Sequence, residues 1–177
     1  DILSLYINDE FFGRPDESTA YKTVKADIDI VYEDENILLV DKKPGVVVHE
    51  DESGSADTLI GRIQAYLFSK GEWDPEKENS FTPSLCNRID RNTGGIVIAA
   101  KNAEALRIIN DKIRDHEISK YYLCLVHGVP RPPKGTIKSF IRRDKKEKRV
   151  YVYDKPAPDA LTAITDYRVI SSGKGMS

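Results

Sequence analysis

Between residues 28 and 170 the chain consists mostly of short runs that are β-branched or alternate between apolar and polar residues. Such runs, bounded by turn residues, are typical of β-strands. They lie at residues 28–33, 37–41, 46–48, 95–101, 121–126, 136–141, 150–153 and 161–170. Most connections between them are too short for a crossover helix, so we expect largely antiparallel pairing.

Two segments instead repeat apolar residues at intervals of three and four, the spacing of one helix face. The first starts at Asp57 and runs to about Ser69, with Asp57 or Thr58 as N-cap and Gly71 as its stop. The second follows the capping residue Asn102, and its apolar positions are Ala105, Leu106, Ile109 and Ile113. Because strands outnumber helices, the pattern predicts an α+β fold with a mixed, largely antiparallel sheet and flanking helices.

The charge of the chain is balanced overall but uneven along its length. The 177 residues include 27 basic and 29 acidic side chains, a formal net charge of -2. This balance argues against a uniformly basic nucleic-acid-binding protein. However, residues 1–60 hold 15 acidic and 5 basic side chains, whereas residues 131–177 hold 12 basic and 5 acidic ones. Because salt screens charges beyond about 8–10 Å, the basic end can bind a polyanion locally, or it can be a solvated lysine-rich loop.

Several other classes of protein are disfavoured by the composition. No run approaches the ~20 apolar residues of a membrane span, so we expect no membrane partner. Cys86 and Cys124 form no CxxC pair, which favours free thiols and a cytoplasmic location. The three histidines lack zinc-ligand spacing, so we expect no metal site.

The densest polar cluster lies in Cys86–Gly95, immediately before a strand of apolar residues. Asp90 stands there between Arg88 and Arg91, and we expect the two cations to keep its carboxylate ionised, as a nucleophile or a base requires. Two adjacent glycines permit a tight backbone path. The alternative is an ordinary turn, in which Asp90 caps a backbone N–H and the arginines are solvated.

Several segments, in order along the chain, resemble motifs of the RluA-type RNA pseudouridine synthases. Residues 87–101, Asn-Arg-Ile-Asp-Arg-Asn-Thr-Gly-Gly followed by an apolar strand and Ala-Lys, resemble the catalytic signature of that family. Residues 32–49 resemble its opening hairpin with a Lys-Pro-x-Gly-like turn, and residues 120–128 resemble its second motif, Lys-x-Tyr before a strand. Residues 163–170 resemble the strand that precedes the third motif, and the similarity covers residues 28–170 in all.

The resemblance implies a pseudouridine synthase-like fold with an active-site cleft, and isomerisation of specific uridines in RNA, with ribosomal RNA as the expected substrate. Asp90 matches the essential aspartate of the family. Tyr122 matches the tyrosine that packs on the uracil and is the proposed general base at C5. Arg88 matches an arginine that helps displace the target base, and Thr93 holds the loop. Lys120 matches a lysine that pairs with a carboxylate or a phosphate.

The chain departs from the family pattern at three places. Asn87, which we also count as a substrate-binding residue, stands where the family often has His, and Gly94 replaces a usual Ser. The third motif, whose arginine pairs with the aspartate, is not found before residue 177. We therefore expect residues 25–177 to be a catalytic domain incomplete at its C-terminus, and residues 1–24 to be the tail of an S4-like domain plus a linker.

The implied reaction needs few groups, because pseudouridine is an isomer of uridine. The N1–C1′ bond breaks and a C5–C1′ bond forms, so no redox cofactor, nucleotide or metal is required. Asp90 either attacks C1′ or the ring as a nucleophile, or takes the C2′ proton, and the sequence leaves both open. A base in a helix must first be flipped out at a cost of a few kcal/mol, and the planar guanidinium of Arg88 suits the vacated stack.

Residues 131–155 hold ten basic and three acidic side chains. They are the expected binding surface for the RNA backbone, with Arg142 and Arg143 as substrate-binding residues. Tyr151 and Tyr153 alternate beside them, either as stacking residues or as one face of a strand. Two alternative functions remain: a non-catalytic RNA-binding module on the same scaffold, and an aspartate-dependent hydrolase of small molecules, which would turn over substrate without RNA.

Overall fold

The structure is a computed structural model that describes residues 20–49, 57–77, 80–144, 147 and 149–177. It divides into two compact units, residues 1–119 and 120–177, and each is described by itself. Of the expected domain tail and linker at residues 1–24, residues 1–19 lie outside the described residues, as do the three lysines at 145, 146 and 148 within the basic segment.

The first unit is built on a four-stranded antiparallel sheet of order β1-β2-β4-β3. Its strands are β1 (Ile30–Glu33), β2 (Ile37–Lys42), β3 (Ser84–Leu85) and β4 (Gly95–Ala100). The two central strands pair along their whole length, from Ile37 opposite Ala100 to Lys42 opposite Gly95. In β2 every second residue is buried, as expected for a strand with one face on the core.

In the described part of the first unit, this sheet is accompanied by the helices α1 (Ala20–Thr23), α2 (Leu59–Lys70) and α3 (Ala103–Arg114). The two predicted helices are confirmed together with their caps. The hydroxyl oxygen of Thr58 accepts from the Gly61 N–H at 3.1 Å, and the side-chain oxygen of Asn102 accepts from the Ala105 N–H at 2.8 Å. Gly71 ends α2 with φ 72°, a left-handed conformation that glycine adopts without strain.

The core of the first unit lies between α2 and the sheet. Its buried members are Tyr21, Leu38, Val40, Leu59, Ile63, Ala65, Leu67, Trp73, Val97 and Ala99. The short helix α1, within a stretch that the sequence indicates as polar linker, contributes Tyr21. The ring of Tyr21 packs edge-on against Phe68 and Trp73, with centroids 4.8 and 5.2 Å apart.

The second unit is a three-stranded antiparallel sheet of order β6-β5-β7. Its strands are β5 (Lys134–Asp144), β6 (Arg149–Tyr153) and β7 (Leu161–Arg168). They confirm the three predicted strands of the final third of the chain. With the first unit, they also confirm the predicted α+β class and its antiparallel pairing.

Two predicted strands are wrong. Within 46–48, only Val47 pairs, in a single parallel bridge to Thr58. Residues 121–126 join no sheet, and the backbone pairing begins only at Val126, whose N–H and C=O bond Ser177 at 2.8 and 3.1 Å. Alternation marks a strand only where a neighbouring strand pairs with it, and the described part of the second unit supplies none for residues 121–125.

Candidate active site

Asp90 lies in the loop that joins β3 to β4, and the backbone at its start is tied to β4. The N–H of Cys86 donates to the carbonyl of Ile98 at 2.8 Å. The amide of Asn87 then continues this pairing, since its oxygen accepts from the Ile98 N–H at 2.8 Å and its nitrogen donates to the Ile96 carbonyl at 3.3 Å. Asn87 thus uses both ends of its side chain to anchor the loop.

The other half of the loop lies against the turn at residues 43–46. The Thr93 N–H closes a turn by donating to the Asp90 carbonyl at 3.0 Å. The Gly45 N–H donates to the Arg91 carbonyl at 2.8 Å, and Arg91 Nε donates back to the Gly45 carbonyl at 3.2 Å. At Gly94 a Cβ would lie 3.2 Å from Pro44 Cδ, so the small residue permits this close approach.

A buried lysine joins the same two segments. Lys42 is 1% exposed, and its ammonium donates to the carbonyls of Lys43, Val46 and Arg91 at 3.2, 3.0 and 3.0 Å. Burial lowers the pKa of Lys42, while the negative charge of Asp90 acts in the opposite direction. The lysine therefore cross-links the turn to the residue that follows Asp90.

The carboxylate of Asp90 itself is exposed. Among the described residues no hydrogen bond or ion pair within 4.0 Å links it to Arg88 or Arg91. Neither flanking arginine is therefore paired with the Asp90 carboxylate, and Arg91 directs its Nε to the Gly45 carbonyl instead. The loop fixes its backbone and leaves one carboxylate open to a substrate.

The remaining predicted site residues fall in the second unit. Lys120 is exposed, and Tyr122 is 66% exposed, in the segment that precedes the Val126–Ser177 pairing. On β5, Arg142 is half-buried and Arg143 is exposed. Because successive strand residues point to opposite sides, these two arginines lie on opposite faces of the sheet.

The structure thus brings four of the eight predicted site residues together in one loop of the first unit: Asn87, Arg88, Asp90 and Thr93. The other four are distributed over two segments of the second unit.

Among the described residues, no helix is long and apolar enough to span a bilayer. The described residues also contain no cluster of three or more histidine, cysteine or carboxylate side chains that could hold a metal ion.

These loop and strand positions all lie in the part of the chain that matches a known family. The model of the RNA pseudouridylate synthase family matches residues 36–176, from the residue before β2 to the second-last residue. The chain belongs to this family. The resemblance to RluA-type synthases seen in the sequence is thereby confirmed.

Individual relatives agree with the family assignment. The chain is 31% identical over 144 residues to the ribosomal large subunit pseudouridine synthase D of Borreliella burgdorferi, covering 81% of this chain and 43% of the relative. It is 36% identical over 160 residues to an uncharacterized RNA pseudouridine synthase of Mycoplasma genitalium, covering 90% and 49%. The chain therefore spans about half the length of these curated relatives.

A solved structure shares the fold. The human RNA pseudouridylate synthase domain containing 4 superimposes with a TM-score of 0.63 at 20% identity, covering 84% of this chain and 56% of that one. This likeness confirms the predicted pseudouridine synthase-like fold.

Lys42 is a residue of the site that was not predicted from the sequence. The signal is present nevertheless, because Lys42 continues the buried alternation of Leu38 and Val40 along β2. A lysine at an inward strand position is rarely buried without dedicated acceptors. Here those acceptors are the carbonyls of the Asp90 loop and the adjoining turn.

Proposed function

We propose that the protein isomerises uridine to pseudouridine in RNA, with Asp90 as its catalytic carboxylate. The observation that carries this proposal is the anchored loop. Lys42, Asn87 and the Gly45–Arg91 pairing hold the backbone on both sides of Asp90, while its carboxylate stays exposed and unpaired among the described residues. Such a placement suits a group that must contact a bound substrate.

The bond changes require only that this carboxylate act on the ribose or the base. As a nucleophile it attacks C1′ while the N1–C1′ bond breaks and the uracil leaves, and the carboxylate is in turn displaced when C5 joins C1′. As a base it takes the C2′ proton while the N1–C1′ bond breaks to give a glycal, and it returns that proton to C2′ when C5 of the turned uracil bonds to C1′. In both routes the C5 proton is lost at the end, and N1 of the uracil gains one.

The other residues act on the base and its surroundings. Tyr122 supplies an aromatic face for the uracil and a phenol oxygen for proton transfer at C5, consistent with its exposure. Arg88, exposed in the Asp90 loop, fills the stack that the flipped base leaves. Thr93 holds the turn, and Lys120 pairs with an RNA phosphate.

Ribosomal RNA is the substrate we propose, supported by the name of the Borreliella burgdorferi relative. We also propose a cytoplasmic site of action, which the free thiols of Cys86 and Cys124 favour. These assignments concern the whole protein, and the family membership and the Asp90 loop support them.

The test is release of tritium from C5-labelled uridine in ribosomal RNA by the full-length protein. Asp90→Asn keeps the shape of the side chain and removes its charge, so we expect a loss of more than about a hundredfold. Glu104→Gln, an equal charge change at an exposed position of α3, is the matched control and should leave the rate unchanged.

Full activity of the Asp90→Asn variant would contradict the role of Asp90. Binding of RNA by the wild-type protein without any product would instead favour the non-catalytic RNA-binding module. Turnover of a small molecule without RNA would favour the hydrolase.

A further inference from the structure

The sheet of the second unit has two faces of different chemistry. Residues directly opposite each other on antiparallel strands share a face, so the strand register assigns every side chain to one side. One side, the aliphatic face, consists mainly of Ile137, Ile141, Val150, Val152, Leu161 and Ala163. The other side carries the cation–aromatic face, which consists of Lys138, Phe140, Arg142, Arg149, Tyr151 and Tyr153.

The charges of the sheet are concentrated on that second side. Its strands place five basic and two acidic residues there. The basic residues are Lys134, Lys138, Arg142, Arg149 and Arg168, and the acidic ones are Asp144 and Asp166. On the side of the aliphatic face Arg143 is the only charged strand residue. The side that carries Phe140, Tyr151 and Tyr153 is therefore also the one that attracts an anion, whereas Tyr167, opposite Gly135, lies on the other side.

Two contacts organise the cation–aromatic face. The guanidinium carbon of Arg142 lies 5.5 Å from the centroid of the Tyr151 ring, a cation–π arrangement. The Tyr151 hydroxyl donates to Glu147, which holds the edge of the ring. The Nε of Arg142 is buried and has no hydrogen-bond partner among the described residues. Phe140 stands opposite Tyr153, the next pair of the ladder on the same face.

We propose that the cation–aromatic face binds a single-stranded segment of the RNA substrate, with bases stacked on its rings and phosphates held by its cations. This inference rests on the proposed function for the presence of RNA, and adds where and in what form the RNA is bound. The sequence alone assigned both neighbouring arginines to the RNA-binding surface. The proposal keeps only Arg142, since Arg143 lies on the other face of the sheet.

The aromatic rings decide between single-stranded and duplex RNA. Bases of a duplex are stacked on each other, so a duplex can offer the sheet only phosphates and sugars. Unpaired bases can stack on Phe, Tyr and Arg planes, which this face places side by side with three cations. From Lys138 to Asp144 the strand spans about 20 Å at ~3.3 Å per residue, enough for several stacked groups.

The test compares the two neighbouring arginines. Fluorescence anisotropy measures binding of a labelled, unstructured 12-nucleotide RNA to the protein and to its Arg142→Gln and Arg143→Gln variants. Both variants lose one positive charge on β5, but on opposite faces. We expect Arg142→Gln to weaken binding about tenfold and to lower the slope of log Kd against log salt by about 0.7. Arg143→Gln should stay within about twofold, because Arg143 pairs with Val150 on the opposite face and so, contrary to the expectation from the sequence, is not part of the proposed binding surface.

A second pair of variants separates stacking from charge. Tyr151→Leu removes the ring and should weaken binding about fivefold to tenfold with an unchanged salt slope. Tyr151→Phe keeps the ring and loses only the bond to Glu147, so it should bind nearly as the wild type does. Circular dichroism establishes that each variant is folded, and the comparison of Arg142→Gln with Arg143→Gln tests the face even if the Leu variant does not fold.

The proposal is overturned if Arg142→Gln and Arg143→Gln weaken binding equally, or if the matching 12-base-pair duplex binds as tightly as the single strand. Concentration-dependent self-association that depends on Tyr151 would assign the face to a second copy of the chain and also overturn it. These outcomes are independent of tritium release. If the protein forms pseudouridine but substitutions on the cation–aromatic face do not change RNA binding, only this inference is refuted. If the face binds single-stranded RNA but no pseudouridine forms, only the proposed function is refuted.

Discussion

The Asp90 loop and the cation–aromatic face use side chains in opposite ways. In the loop, side chains such as Lys42 and Asn87 bond backbone atoms, and a single carboxylate is left open. On the face, the backbone is held by the strand ladder, and several side chains are available to a ligand at once. The first arrangement positions one group, and the second offers a surface.

This difference predicts different responses to mutation. Loss of an anchor in the loop leaves buried carbonyl or N–H groups without partners, so stability and the position of Asp90 change together. Loss of one side chain from the face removes one contact among several, so binding declines by steps while the fold persists. The predictions below test that distinction, from the largest expected effect to the smallest.

Lys42→Met should have the largest effect on stability. It leaves three carbonyls of the turn and the loop without their shared donor, and we expect a loss of about 3 kcal/mol in the free energy of unfolding. Urea denaturation followed by circular dichroism measures it. The neighbouring Lys43 contacts Asp29 and Asp41 only at the surface, so Lys43→Met should be close to wild type. Equal effects of the two substitutions would show that Lys42 is not an anchor.

Asn87→Ala should have an intermediate effect. The Ile98 N–H and the Ile96 carbonyl lose their partners on the loop, at a cost of about 1–2 kcal/mol. Tritium release should fall as well, because the start of the Asp90 loop is no longer held against β4. Wild-type stability combined with reduced activity would mean that Asn87 contacts the substrate, as expected from the sequence, and does not anchor the loop.

Acidification should weaken the first unit through an ion-pair network at the end of β4. Hydrogen bonds from Lys101 and Lys70 lower the pKa of Glu72 below its usual 4.5. A carboxyl whose pKa is lower in the folded state adds stability above its unfolded pKa and loses it as pH falls through the folded value. Stability should therefore drop between about pH 5 and pH 3, and Glu72→Gln should flatten that drop in urea titrations. An equally steep drop in the variant would exclude Glu72 as a contributor.

Substitutions on the cation–aromatic face should have the smallest effect on folding. Arg142→Gln removes a cation–π contact at a sheet surface, and its urea midpoint should stay near that of the wild type. A large loss of stability would mean that Arg142 supports the fold in the manner of the loop anchors. The contrast between the two regions would then disappear.

The parts of the fold predicted from sequence are those decided locally. The caps Thr58 and Asn102 lie within three residues of the N–H groups that they accept from, and the turn between β1 and β2 is equally local. The wrong strand at 121–126 depended on a neighbour that only the tertiary arrangement can supply. For the same reason, the pattern of Tyr121 and Tyr122 alone cannot show whether they pair with another strand.

In the candidate site, too, the sequence predicted the local features and not the long-range contacts. The motif around Asp90 is contiguous, so its loop position followed from the sequence. The role of Lys42 depends on a contact with Arg91, 49 residues away. The separation of Arg142 from Arg143 depends on the extension of β5 to Asp144, three residues past the end of the predicted strand at Ile141.

The most direct test compares Asp90→Asn with Arg142→Gln in tritium release from the same RNA over a wide range of RNA concentrations. A group that acts on the reacting atoms limits the rate at saturation, whereas a binding residue raises KM. The account predicts negligible release by Asp90→Asn at every RNA concentration, and release by Arg142→Gln that approaches the wild-type rate at saturating RNA. Near wild-type release by Asp90→Asn at saturation would contradict it.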